Sequence, residues 1–232
     1  MGTDPGGGPA RGFGSLEEAQ VIVIDPEENF DDALFAAYPE GVNLARLLPV
    51  PTQRPFIIGI DGRSGAGKTT LTAQLAAVLE RRHDVTVFHL EDIYPGWNGL
   101  EQGIGQYVNE VLKPLRRGED AHWTAWDWLT NEPGTPRLTR AAEIILVEGV
   151  GACNDLARPL LNSSVWVELP AALRKKRAME RDGRSYEKFW DVWAEQEQSY
   201  LAADPVWENA EVLHPGPAPE LTESPEDGQE QS

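Results

Sequence analysis

The chain has 232 residues, of which 41% are hydrophobic, so it is long enough to bury the core of one α/β domain. Its formal net charge is −18, from 38 acidic and 20 basic residues, which argues against nucleic acid or an anionic membrane as the main partner. The single cysteine, Cys153, excludes an internal disulfide framework and a cysteine-based metal cluster.

The two ends of the chain differ in composition from its middle. Residues 1–53 begin with a Gly/Pro-rich stretch, continue with acidic side chains and include a short amphipathic pattern at 41–48 that predicts a helix. Residues 215–232 are Pro-rich and acidic. We therefore expect a partly disordered N-terminal extension over 1–53, a folded domain over 54–214 and a disordered acidic tail over 215–232.

Within 54–214, short apolar runs alternate with helical patterns. The runs predict strands over 56–60, 85–90, 143–150, 164–169 and 210–214. The helical patterns cover 68–82, 104–115 as far as Pro114, and 172–202, where Gly183 is the candidate for a break. Near-continuous apolar strands alternating with helices predict a mostly parallel five-stranded sheet covered by helices on both faces, which is a three-layer α/β fold.

The segment "GIDGRSGAGKTT" lies between the first of these strands and the first helix. Gly62, Gly67, Lys68 and Thr69 fit the spacing G-x-x-x-x-G-K-[ST], in which glycines let main-chain N–H groups curl around phosphates. We expect Lys68 to reach the β- and γ-phosphates of ATP and the Thr69 hydroxyl to bind Mg²⁺. The predicted nucleotide-binding residues are Gly62, Ser64, Gly65, Ala66, Gly67, Lys68, Thr69 and Thr70.

Three carboxylates follow predicted strands. Glu148 ends the buried run "IILVE", and because ligands sit at the carboxyl ends of parallel strands, it is the second predicted Mg²⁺ ligand. Glu91 and Asp92 follow the strand at 85–90, and either can accept the proton of a hydroxyl group during phosphoryl transfer. The alternatives are a solvent-facing Glu148 and a site in which neither Glu91 nor Asp92 acts as a base.

An aromatic group surrounds a further acid. Trp126, Asp127 and Trp128 are predicted to bind the acceptor by ring stacking and hydroxyl contacts, with Tyr94 and Trp97 bordering the same pocket. Core or interface packing is the alternative for these tryptophans.

A basic cluster follows in an otherwise acidic chain. Arg174, Arg177 and Arg181 share one helix face by their spacing, and such a face can neutralise a transferring phosphate. A solvated cationic face is the alternative. Downstream aromatic residues at helical spacing, which include Phe189 and Trp193, are predicted to pack between helices.

Taken in order, "GIDGRSGAGKTTL", "EDIYPGW", "WDW", "ILVEGVGA" and "RAMERDG" resemble the uridine kinase-like branch of the P-loop kinases, over about residues 54–214. The resemblance implies a P-loop NTPase fold, a base at Glu91 where aspartate is usual, and a nucleoside pocket at Trp126–Trp128. It also implies lid arginines at Arg177 and Arg181, with Arg184 as a further candidate. Asn131 stands near the point where uridine kinases usually carry a histidine.

The sequence therefore predicts a cytoplasmic ATP- and Mg²⁺-dependent kinase whose acceptor is a hydroxyl of a small molecule, with a nucleoside first among the candidates. Its catalytic residues are predicted to be Lys68, Glu91, Asp92, Arg177 and Arg181. A nucleoside monophosphate kinase, with Arg137 and Arg140 as a second anion site, and an ATP-binding module without kinase activity remain as alternatives. A GTPase is disfavoured because no N-K-x-D or D-x-x-G motif stands at the expected positions.

Overall fold

The computed structural model describes residues 23–24 and 55–215, while the side chains of residues 23–24, 182–186 and 211–215 lie outside that description. The predicted helix at 41–48 and nearly all of the two terminal segments also lie outside the described residues. The division into an extension, a domain and a tail stays a prediction.

One parallel sheet organises the described chain. Across it, the strands run in the order β1 (Val23–Ile24), β8 (Glu211–Pro215), β7 (Ser163–Val167), β2 (Phe56–Asp61), β6 (Ile144–Glu148) and β3 (Val85–His89). The predicted α/β fold with a parallel sheet is confirmed. The predicted count of five strands is not, because four strands (β7, β2, β6 and β3) form the central sheet and two further segments extend one edge, one of them only two residues long.

The central strands form because their side chains are apolar on both faces. All six residues of β2 and all five of β6 are buried. Within β2, Ile57 packs into one hydrophobic cluster, whereas Ile58 and Ile60 pack into the cluster on the other face, as the two-residue period of a strand requires. Both faces of this sheet are therefore covered.

The α- and π-helices of the described chain are α1 (Lys68–Leu79), α2 (Leu100–Gln106), a π-helical segment (Tyr107–Leu112), α3 (Lys113–Arg116), α4 (Ala171–Glu187) and α5 (Trp190–Ala203). Short 3₁₀ turns lie at Leu90–Asp92, Arg158–Leu160 and Val206–Asn209. Pro114 does not end the helix that precedes it, because it falls in the first turn of α3, where a missing N–H costs little. The break in the last helical region lies at residues 188–189 and not at Gly183.

Sequence patterns missed an antiparallel hairpin made of β4 (Ala121–Asp127) and β5 (Glu132–Thr139). In β4, Trp123 and Ala125 point into the core while their neighbours face outward. The Trp123 Nε1–H donates to Thr139 Oγ1 at 2.9 Å, which fixes the open end of the hairpin. The aromatic segment of the sequence is thus mainly a strand.

The register of the sheet brings three polar side chains together at the carboxyl ends of adjacent strands. Glu148 of β6 pairs with Ile60 of β2 on one side and with His89 of β3 on the other, and Asp61 follows Ile60. The loop between β2 and α1 begins at this edge. None of the helices among the described residues is long and apolar enough to cross a membrane.

Candidate active site

The loop between β2 and α1 has the backbone that its glycines predict. Gly65 and Gly67 have φ values of +78° and +101°, a region that other residues rarely adopt. A Cβ atom at Gly65 would overlap the backbone of Arg174, so only glycine fits where α4 crosses the loop. Gly67 immediately precedes α1 and leaves Lys68 and Thr69 in its first turn. The loop N–H groups and the positive end of α1 therefore share one location, which suits a phosphate group.

Asp61 anchors the start of this loop. Its carboxylate accepts hydrogen bonds from the N–H groups of Gly62 (2.7 Å), Gly151 (2.9 Å) and Cys153 (2.9 Å), and from the Tyr200 hydroxyl (3.0 Å). Burial raises the pKa of Asp61, although these N–H groups act in the opposite direction. The residue ties the phosphate loop to the segment after Glu148, and sequence reasoning missed it.

The two predicted metal ligands lie in contact. The Thr69 hydroxyl donates to Glu148 Oε1 at 3.0 Å, and the same oxygen accepts a hydrogen bond of 2.7 Å from His89 Nδ1. Burial acts to raise the pKa of Glu148, but the His89 hydrogen bond and the charge of Lys68 outweigh it, so that pKa lies below its ordinary value. The hydrogen bond to Glu148 raises the pKa of His89.

A hydroxyl and a carboxylate are hard oxygen donors, which fit Mg²⁺ better than a softer metal. Among the described residues there is no group of three or more His, Cys, Asp or Glu side chains that could hold a metal ion. The pair of Thr69 and Glu148 is a donor set of the kind that Mg²⁺ uses, since proteins commonly bind this ion through one or two carboxylates together with substrate phosphates.

A cavity of ≈ 500 Å³ opens in front of the loop. Its walls are formed by the residues Ser64, Gly65, Lys68, Thr69, Glu91, Tyr94, Trp97, Trp128, Leu129, Glu148, Gly149, Val150, Arg181, Phe189 and Trp193. The structure thus brings together residues from each predicted group. They are the phosphate loop, the metal ligands Thr69 and Glu148, the acid Glu91, the tryptophans Trp97 and Trp128, and Arg181.

The cavity has an aromatic end, formed by Trp97, Trp128, Phe189 and Trp193. Trp97 stacks on Phe189 with ring centroids 4.7 Å apart, and it lies 4.8 Å from Trp128 and 6.3 Å from Trp193. The sequence predicted Trp97 and Trp128 as pocket residues but took Phe189 and Trp193 for packing residues only. These two also line the cavity: Phe189 immediately precedes α5, and Trp193 lies one turn into it.

Several predicted residues lie outside the cavity wall. Asp92 is exposed and does not line it, whereas Glu91 does. Asp127 accepts the N–H groups of Leu129 (2.9 Å) and Thr130 (3.2 Å) and so closes the hairpin turn. Trp126 does not line the cavity either. Substrate binding by Trp126 and Asp127 stays a prediction, without a contact to the cavity in its favour.

Three of the four arginines of α4 face the phosphate loop in different ways. Arg174 is buried and donates through Nη1 to the Ser64 carbonyl at 3.2 Å, so it supports the loop. Arg177 is half-buried with a nitrogen close to Gly67, and the loss of water around it lowers its pKa. Arg181 lines the cavity. Their common face is therefore turned toward the site, while the side chain of Arg184 lies outside the described residues.

Comparison with known proteins finds similarity to uridine kinases, although no family model matches the chain. It is 26% identical over 155 residues to a uridine kinase of Lactobacillus johnsonii, which covers 59% of this chain and 74% of that protein. It is 29% identical over 150 residues to a uridine kinase of Staphylococcus haemolyticus, covering 56% and 72%.

A plant protein is also similar. The chain is 26% identical over 177 residues to the chloroplastic uridine/cytidine kinase UKL1 of Arabidopsis thaliana, which is 69% of this chain but only 36% of the plant protein's length. Among solved structures, a possible uridine kinase from Bacillus stearothermophilus superposes with a TM-score of 0.55 at 21% identity and covers 73% of this chain and 94% of its own. This structural likeness establishes a shared fold.

Proposed function

We propose that this chain, a P-loop kinase homologous to uridine kinases, transfers the γ-phosphate of ATP to a hydroxyl group of a small molecule, with a nucleoside as the acceptor class. One observation carries the proposal. A single cavity is lined by the groups assigned to a triphosphate, to its metal and to a hydroxyl acceptor, which are Lys68, Thr69, Glu148, Glu91 and Arg181.

ATP binding is assigned to the loop over Gly62–Thr70. Its N–H groups and the ammonium group of Lys68 supply the positive charge that an anion needs in a protein of net charge −18. Lys68 Nζ donates to the Arg63 carbonyl at 3.2 Å in the structure, so binding requires it to exchange this contact for the phosphate oxygens. Thr69 and Glu148 would hold Mg²⁺. When bound, this ion would neutralise the negative charge that develops on the phosphate oxygens.

Glu91 is assigned as the proton acceptor in preference to Asp92, because only Glu91 lines the cavity. The Trp128 Nε1–H donates to the Glu91 main-chain carbonyl at 3.0 Å and so fixes the backbone that carries this carboxylate. As the acceptor oxygen bonds to the γ-phosphorus, its proton passes to Glu91. The bond from the γ-phosphorus to the bridging oxygen breaks, and ADP leaves with that electron pair.

Two arginines are assigned to stabilise the negative charge of the transferring phosphoryl group. Arg181 lines the cavity, and Arg177 lies beside the loop. Because phosphoryl transfer depends mainly on positioning and electrostatics, such donors act most strongly in the transition state.

The aromatic end of the cavity supports a nucleoside acceptor, since base rings stack well on tryptophan and phenylalanine. A nucleoside monophosphate acceptor has less support, because it needs a second anion site. The basic residues that line the cavity in the described chain are Lys68 and Arg181, which are already assigned to ATP and to the transferring group, whereas Arg137 lies on β5 and neither it nor Arg140 reaches the wall.

A panel of uridine, cytidine, UMP, CMP and simple alcohols, assayed for ATP-dependent ADP release and for the phosphorylated product, tests this function. We expect the nucleosides to be phosphorylated faster than the nucleotides. The Glu91→Gln variant is expected to slow single-turnover transfer by about 100-fold or more, while the matched Asp92→Asn variant stays near the wild-type rate. ATP binding without phosphoryl transfer to any member of the panel would favour the non-catalytic alternative.

A further inference from the structure

Helix α5 contacts the phosphate loop through a buried carboxylate. Glu197 of this helix is only 2% exposed, and its Oε1 accepts the main-chain N–H of Ser64 at 2.8 Å, across 133 residues of sequence. A buried carboxylate therefore holds a peptide group in the middle of the phosphate loop.

The Ser64 residue is held at both of its main-chain polar groups. Its N–H goes to Glu197, and its carbonyl accepts the Arg174 Nη1–H at 3.2 Å. Arg174 Nη1 also lies 4.0 Å from Glu197 Oε2, and both side chains are buried. Because a residue held at both ends cannot rotate its peptide planes freely, this pair sets the direction of the N–H groups that follow.

Glu197 also touches the wall of the cavity through Trp193. The Trp193 Nε1–H donates to the same Oε1 atom at 3.0 Å, and the Trp193 ring lines the aromatic end. One carboxylate oxygen thus joins the phosphate loop to the acceptor wall. Neither contact involves a reacting atom.

We propose that Glu197 is a positioning residue, which keeps the phosphate loop in its ATP-binding conformation through the oxygen that reaches Ser64. The proposal rests on the proposed function, since it takes the loop to be the ATP site. If that hydrogen bond is lost, the Ser64 N–H must find another partner and the loop spends less time in the binding conformation. The apparent dissociation constant for ATP then rises as the inverse of the fraction of time that the loop still spends in the binding conformation.

Two substitutions separate this role from that of a buried ion pair. Glu197→Gln keeps the reach and a carbonyl oxygen for Ser64 and Trp193 but removes the charge next to Arg174. Glu197→Asp keeps the charge but withdraws the oxygens by one methylene group. A positioning role predicts that Glu197→Asp is the more harmful change for ATP binding, whereas a purely electrostatic role predicts that Glu197→Gln is.

The experiment measures the dissociation constant for Mg–ATP by calorimetry, together with hydrogen exchange by mass spectrometry on peptides covering 61–70 and 144–148. For Glu197→Asp we expect binding about 10- to 100-fold weaker and faster exchange in 61–70 alone. For Glu197→Gln we expect binding within about threefold of wild type and protected loop amides. Unfolding curves confirm that each variant is folded at the assay temperature.

A Glu197→Gln defect equal to or larger than that of Glu197→Asp would overturn the proposal, as would unchanged loop exchange in both variants. If Glu197→Asp does not fold, Glu197→Gln decides alone, because a folded protein with binding more than about tenfold weaker contradicts the role. If the wild-type protein does not bind ATP, the proposed function fails, and the exchange comparison still decides whether Glu197 positions the loop.

Discussion

Replacing Glu148 with glutamine should separate metal binding from folding. Both hydrogen bonds to this side chain end on Oε1, one from Thr69 at 3.0 Å and one from His89 at 2.7 Å. A glutamine whose carbonyl oxygen takes the place of Oε1 keeps both hydrogen bonds, so the free energy of unfolding should change by about 1 kcal/mol or less. An alanine loses both hydrogen bonds and leaves a cavity, so Glu148→Ala should lower the free energy of unfolding by roughly 3 kcal/mol.

The charge, in contrast, is lost completely in Glu148→Gln. We expect the Mg²⁺ concentration that gives half-maximal ADP release to rise by about 10- to 100-fold, the range seen when groups that support a metal are removed. The assay is a Mg²⁺ titration at fixed ATP with the better nucleoside of the panel.

Glu143→Gln provides the matched control. Glu143 lies directly before the first residue of β6, at the end of the strand away from Glu148, and it also contacts a histidine, His83, at 3.4 Å. It should leave the Mg²⁺ requirement unchanged. If Glu148→Gln shows the same Mg²⁺ midpoint as wild type, Glu148 does not hold the metal and the assignment is wrong.

Three further outcomes follow from the geometry. The pair of Glu148 and His89 should contribute most to stability between the ordinary pKa values of a glutamate, 4.5, and of a histidine, 6.5. Its contribution is lost below that window as Glu148 is protonated and above it as His89 is deprotonated, so the difference in melting temperature between wild type and His89→Asn should be largest near pH 6 and shrink toward pH 9. Gly65→Ala should lower the free energy of unfolding by about 2 kcal/mol or more, because Gly65 has a positive φ and a Cβ atom there would overlap the backbone of Arg174. A free energy of unfolding within about 0.5 kcal/mol of wild type, measured by denaturant titration, would contradict this contact. Arg181→Ala should lower kcat by about 100-fold while changing KM for ATP much less, and equal turnover would refute its role in the transition state.

The sequence predicted those parts of the fold whose signal is local. The apolar runs at Phe56–Asp61 and Ile144–Glu148 became adjacent buried strands, and the glycine spacing placed the loop at their carboxyl ends. The sequence does not predict the β4–β5 hairpin, because Pro133 and Pro136 are unfavourable in a strand. The aromatic residues of β4 are also typical of a ligand pocket, so they do not indicate a strand by themselves. A two-stranded hairpin outside the main sheet tolerates such prolines.

Part of the candidate site depends on contacts that no local pattern reveals. Asp61 bonds to Tyr200 across 139 residues, and Glu197 reaches Ser64 across 133. The distinction between Glu91 and Asp92 likewise required the direction in which each side chain leaves the 3₁₀ turn after β3. Asp127 stood between two tryptophans in the sequence, yet its carboxylate serves the hairpin turn.

The most direct measurement of the central claim is the calorimetric dissociation constant for Mg–ATP of the wild-type protein and of Lys68→Met, with Lys113→Met as the control. Lys113 lies on α3 and contacts Asn109 on the surface, away from the cavity. We predict that the wild type and Lys113→Met bind alike and that Lys68→Met binds about 100-fold more weakly. Equal binding by Lys68→Met, or no binding by the wild type, would contradict the assignment of this loop as the ATP site.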